Sequence, residues 1–162
     1  MGKAVVELNQ QNTVKNFYPA DDNWEMVMLP FKASTAIEEG SVVAAEISWN
    51  DVTWNATVMG VENATWADFL GILAEPIKAT DADYAVAGKE KGVRVPKTPY
   101  AKAYFTVGAG TFTKADVFKT VEINANHKSL SVDTKGKGAR IMEYIDGTHG
   151  VCRFSLPETE TA

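Results

Sequence analysis

The sequence predicts a mainly β domain, barrel-like or a small sandwich, with one short helix and an extended N-terminal arm. Short runs rich in Val, Ile, Thr and aromatic residues recur about every 8–12 residues, separated by Gly, Asn-Asp and Asp-Gly turn signals. The clearest of these runs lie at the C-terminal end, where Asp146-Gly147 joins the last pair as a hairpin. The chain is 162 residues long, enough for one domain that removes roughly 70% of its unfolded surface from water, so a single core needs no staples.

Residues 1–23 differ from the rest. A short apolar run, Val5, Val6 and Leu8, is followed by a polar stretch over residues 9–16, which has too little apolar area to build a core. The segment reads as an arm that orders on a partner by adding a strand to it, with Phe17, Tyr18 and Trp24 as aromatic anchors. The alternative is that it forms the first strand of the domain's own sheet.

In the body, residues 24–157, Trp24, Met26 and Met28 alternate with Glu25 and Val27 until Pro30 interrupts. Glu39-Gly40 turns the chain into a strand over 41–47, and Asn50-Asp51 separates it from 53–61, which predicts a hairpin. Residues 63–75 are ambiguous, because Thr65 and Asp68 could cap a helix carrying Phe69, Leu70, Ile72 and Leu73. Gly71 in the middle and Pro76 at the end favour a buried strand over 68–77. The GKEKG run at 88–92 suits a hairpin turn.

Pro96 and Pro99 mark a crossover into 100–107, where Lys102, Tyr104 and Thr106 alternate with Ala103, Phe105 and Val107, and Gly108 and Gly110 end the run. Thr113 followed by Lys114, Ala115 and Asp116 reads as the cap and first turn of a short helix that lays Val117 and Phe118 against the sheet. Strands follow at 121–124, 129–132, 139–145 and 151–156. A period of two puts Ile141, Glu143 and Ile145 on one face of the third, with Met142 and Tyr144 on the other. Residues 158–162 form a polar tail after Pro157.

Composition narrows the function. Cys152 is the only cysteine, so no intramolecular disulfide forms, and its apolar neighbours predict a buried thiol. His149 lies three residues from Cys152, the one pairing that could serve a cysteine nucleophile. Neither His127 nor His149 has a metal-ligand spacing, Glu38-Glu39 and Asp21-Asp22 are turn pairs rather than a catalytic dyad, and KGKGAR is neither a P-loop nor a dinucleotide fingerprint. The expectation is a protein that is not an enzyme, with no cofactor and no metal. The N-terminus lacks a secretory h-region and no segment is apolar enough to span a bilayer, so a soluble chain with no membrane partner is expected.

The net charge of −5 hides an asymmetry. Residues 31–85 hold two basic and nine acidic residues, a net −7, whereas 86–140 hold eleven basic and four acidic, a net +7. Besides solvated loops, this permits a head-to-tail assembly in which an acidic face meets a neighbour's basic face. The acidic balance argues against a nucleic-acid partner. Trp49, Trp54 and Trp66 leave a sugar-binding platform open as a second functional class.

In texture, FKASTAIEEGSVVAAE, ADFLGILAEPIKATDADYAVAGKEKGVRVP and the closing hairpin resemble tailed-phage capsid decoration (cement) proteins, the lambda-type head-stabilising proteins and their longer relatives, over residues 31–156. The resemblance implies a β-tulip fold, an N-terminal arm that pairs with the major capsid protein, and homotrimers on the capsid exterior. On that reading Val5, Val6, Leu8, Phe17, Tyr18 and Trp24 are the capsid-binding residues, and no covalent chemistry is required. The added length around residues 100–126 leaves monomeric or head-fibre arrangements open.

Overall fold

A computed structural model describes residues 16–48, 53–58, 69–136 and 138–154. As expected, the chain is mainly β, and the described residues form two sheets without a long helix. The first sheet is a closed barrel of β2 (Trp24–Phe31), β3 (Val42–Ser48), β4 (Thr53–Val58), β5 (Phe69–Leu73) and β6 (Lys89–Pro96), in the order β2-β4-β3-β5-β6. The second holds β1 (Tyr18–Pro19), β7 (Lys102–Ala109), β8 (Thr120–Ile123), β9 (Leu130–Lys135), β10 (Ala139–Asp146) and β11 (His149–Arg153), in the order β1-β7-β11-β10-β8-β9. A parallel pairing of β7 with β9, at Val107↔Leu130, bends this second sheet back on itself.

The barrel and the second sheet share a wall. Side chains alternate along a strand, so a strand buried on both faces reads as an unbroken apolar run. In β3, Val42 and Ala44 face one core while Val43 faces the other; in β5, Ile72 and Leu73 divide in the same way. One core packs Val42, Ala44 and Ile72 against Ala103, Phe105, Ile141 and Cys152 of the second sheet. The other fills the barrel with Phe31, Val43, Ala56, Leu73 and Val93. The Val42 N–H donates to the His127 carbonyl at 2.8 Å, tying the barrel to the β8–β9 connection.

The predicted hairpin is β3–β4, paired from Val43↔Val58 to Ser48↔Thr53, and the ambiguous segment is strand β5. Gly71 has φ +157°, and a Cβ there would overlap the Arg94 carbonyl of the neighbouring strand. Close backbone approach explains this glycine inside a strand. The helix candidate is a single 3-10 turn, Lys114–Asp116, closed by a capping box between Thr113 and Asp116.

Four local expectations are corrected. Pro30 does not interrupt β2, which continues to Phe31; among the described residues the far edge of β2 meets β4 only at Phe31↔Ala56, and an edge tolerates a missing N–H. GKEKG is not a turn: the reversal lies upstream, ends at Gly88 with φ +82°, and releases Lys89 into β6, which pairs along all eight residues of β2. Phe118 is not laid against the sheet but stands 60% exposed, while Val117 packs on the core. In β10 the pairing shifts between Ile141↔Cys152 and Glu143↔Val151, so Met142 is bulged and Tyr144 joins Ile141 on the core.

Residues 16–23 are also more integrated than an arm. Phe17 is 2% exposed and packs edge-on against Phe154 at 5.1 Å, and Tyr18–Pro19 pairs with β7.

Candidate partner-binding surface

The outer face of the second sheet is set by register. Ala103, Cys152 and Ile141 stand opposite one another across β7, β11 and β10, each fully buried, and this row marks the core face. One residue along each strand, the opposite face therefore carries the row Lys102, Arg153 and Arg140, continued by Thr120 on β8. Adjacent strands lie about 4.8 Å apart, so the backbones of three cationic residues stand side by side across the sheet.

Aromatic rings supply what acids do not. Arg153 stacks on Tyr100 at 5.5 Å and Arg140 on Phe118 at 5.5 Å, while Arg94 of β6 covers Tyr18 at 5.1 Å. Tyr100 is 68% exposed. Among the described residues none of these three arginines has an ion pair, and the Arg140 Nε is buried with no hydrogen-bond partner. Arginine–aromatic stacks remain attractive in water and strengthen when a partner excludes solvent.

Tyr18 lies opposite Tyr104 and extends this face toward the barrel, where Met26 pairs with Arg94 on the neighbouring strand. Tyr18, Met26 and Met28 are 41%, 54% and 51% exposed, a cluster of large apolar side chains beside the point where residues 1–15 join the body.

Of the six residues assigned to capsid contact, Val5, Val6 and Leu8 lie outside the described residues. Phe17 and Trp24 are committed to the protein's own packing: Trp24 borders the core, and its indole N–H donates to the Lys102 carbonyl at 2.9 Å. Among the three that are described, only Tyr18 presents its ring outward. Sequence reading missed Met26, Met28, Tyr100, Phe118 and Arg153 as surface residues, and it took Arg140 for part of a solvated turn with Lys135 and Lys137 rather than a strand residue in a basic row. Alternation along 102–106 carried a signal for the outward side, but the pairing that lines up Lys102, Arg153 and Arg140 is non-local.

The other chemical candidates resolve simply. Cys152 is fully buried, desolvation pushes its thiol pKa far up, and His149, three residues away along β11, belongs to the opposite face. His149 instead lies 3.1 Å from Asp146 in the closing turn. Asp21 accepts from the Asn23 N–H at 3.0 Å and the Lys102 N–H at 3.1 Å, and Glu38 pairs with Lys128 at 2.8 Å; both are structural roles. The described residues contain no His, Cys, Asp and Glu group able to hold a metal ion, and no helix long and apolar enough to cross a membrane. Trp49 and Trp66, like the Trp54 side chain, lie outside what is described.

Searches of protein-family models, curated proteins and solved structures return no match.

Proposed function

We propose that the chain is a structural virion protein that binds the outside of a phage capsid and bridges subunits of the major capsid protein, working as a homotrimer without catalysis. The observation that supports this reading is the exposed cluster of Tyr18, Met26, Met28 and Arg94 beside the junction with residues 1–15. Tyr, Met and Arg are the residue types enriched at the centres of protein interfaces. Val5, Val6 and Leu8 supply an extended-prone apolar run just ahead of it, suited to pairing with a strand of the capsid protein. In this reading attachment adds burial and strand pairing across subunit junctions.

Co-sedimentation with capsids tests the proposal. Because Phe17 is part of the core, the truncation removes residues 2–15 and leaves the body intact. The truncated protein, folded by circular dichroism, loses capsid binding, and Met26→Glu with Met28→Glu weakens it. Binding of the truncated form equal to that of the full chain defeats the assignment.

A further inference from the structure

We propose that the acidic C-terminal segment of this chain docks on the cationic end of its own second sheet, Glu158 and Glu160 meeting Arg153 and Lys102.

That end of the sheet is set up to receive carboxylates. β7 begins at Lys102, β11 ends at Arg153 and β10 begins at Ala139, so Lys102, Arg153 and Arg140 stand side by side at one end. Arg153 stacks on Tyr100, which is 68% exposed. Stacking fixes a guanidinium plane while its N–H edge stays open to a bidentate carboxylate. Arg140 stacks on the exposed Phe118 ring; its Nε is buried, so it adds positive charge rather than a second fork. Among the described residues none of the three cations has an ion pair. Asp21 spends its carboxylate on N–H groups of Asn23 and Lys102, and Glu143 stands a row further in, opposite Val151.

The occupant is attached to the site. Phe154, buried against Phe17 and Trp24, anchors the chain just past Arg153, and the sequence continues SLPETETA over 155–162. Glu158 and Glu160 are its only charged side chains. Two residues apart, they share one side of an extended segment, with Thr159 and Thr161 on the other. Glu158 lies four residues past Phe154, a span of up to about 14 Å, whereas Lys102 and Arg140 stand one strand spacing, about 4.8 Å, to either side of Arg153. Leu156 and Pro157 come first and meet the exposed Tyr100 and Phe118 rings, adding apolar burial to the ion pairs. A single exposed ion pair is weak, but the tether raises the effective concentration to the millimolar range. The face is a site for acidic polypeptide, filled in cis and open to a partner's acidic segment only by competition.

Amide NMR spectra of the full chain and of its Glu158→Gln, Glu160→Gln variant test this. The amides of Tyr100, Lys102, Arg140 and Arg153 differ between the two chains, and the differences lose about half their size or more in molar salt. A chain ending at Pro157 gives the variant's spectrum at these positions, and Arg153→Gln with Lys102→Gln removes the differences while the barrel amides stay in place. A fluorescent hexaglutamate peptide binds the chain ending at Pro157 about two- to tenfold more tightly than the full chain, and Arg153→Gln weakens that binding. Coincident spectra, differences indifferent to salt, or equal peptide binding to both chains overturns the proposal. Differences that grow with protein concentration do so as well, because the segment of a second copy then fills the face. Capsid attachment enters none of these readouts.

Discussion

Ile72 and Leu73 are neighbours in β5, each 1% exposed, yet they feed different cores. Truncating either to alanine removes three carbons, worth about 2.4 kcal/mol of transfer free energy at ~0.8 kcal/mol each, and the residual cavity raises the cost to about 3–4 kcal/mol. For a chain of this size that lowers the melting temperature by roughly 6–16 °C. If β3 and β5 make the two cores one cooperative unit, Ile72→Ala and Leu73→Ala each give a single calorimetric transition. Native-state hydrogen exchange then shows amide protection falling together in β6 and in β10–β11 for both variants. A second transition, or a Leu73→Ala variant that loosens β6 while β10 and β11 keep their full protection, would refute the shared-wall argument.

Two further outcomes follow from buried groups. Asp116 accepts from the Thr113 N–H at 2.9 Å and from Lys119 at 3.0 Å; the Thr113 bond is the main cause of its lowered pKa, opposed by burial. A folded pKa below the unfolded value gives stability that is present above about pH 4 and lost as pH falls through the folded value. Asp116→Asn therefore costs about 1 kcal/mol in urea unfolding at pH 7 and much less at pH 2, and an equal cost at both would contradict the assignment. Cys152, buried with its thiol pKa raised, resists aromatic disulfide reagents in the native protein and reacts only as fast as the chain unfolds. Rapid stoichiometric labelling without denaturant would contradict its burial.

Much of the β architecture was legible locally. VVAA in β3 read as a hairpin strand and FLGIL in β5 as a buried one, with Gly71 counting against a helix; close approach to the Arg94 carbonyl is the reason that glycine is there. Thr113 was legible as the cap of a short helical turn, and the structure adds the reciprocal bond from the Thr113 N–H to Asp116 that completes a capping box. What failed depended on partners distant in sequence. Pro30 is tolerated because of where β2 lies in the barrel, and Lys89 enters a strand because β2 is there to pair with it. The Met142 bulge reverses the faces of β10, a shift no period-two count contains. Phe17 looked available for a partner because an aromatic just after a polar stretch does not disclose that Phe154, far along the chain, completes its packing. The Lys102, Arg153 and Arg140 row is legible only after three strands have been set in register.

The wall of β3 and β5 has a mechanical meaning. With Val42, Ala44 and Ile72 pressed into one core and Val43 and Leu73 into the other, no slip plane divides the molecule, and neither half can swing without opening both interiors. The described residues of the two halves therefore form one stiff unit. A pull on residues 16–19 meets that wall directly, because the Phe17 N–H donates to the Gly40 carbonyl at 3.2 Å and the Gly40 N–H to the Leu73 carbonyl of β5 at 2.8 Å, while Tyr18–Pro19 pairs with β7.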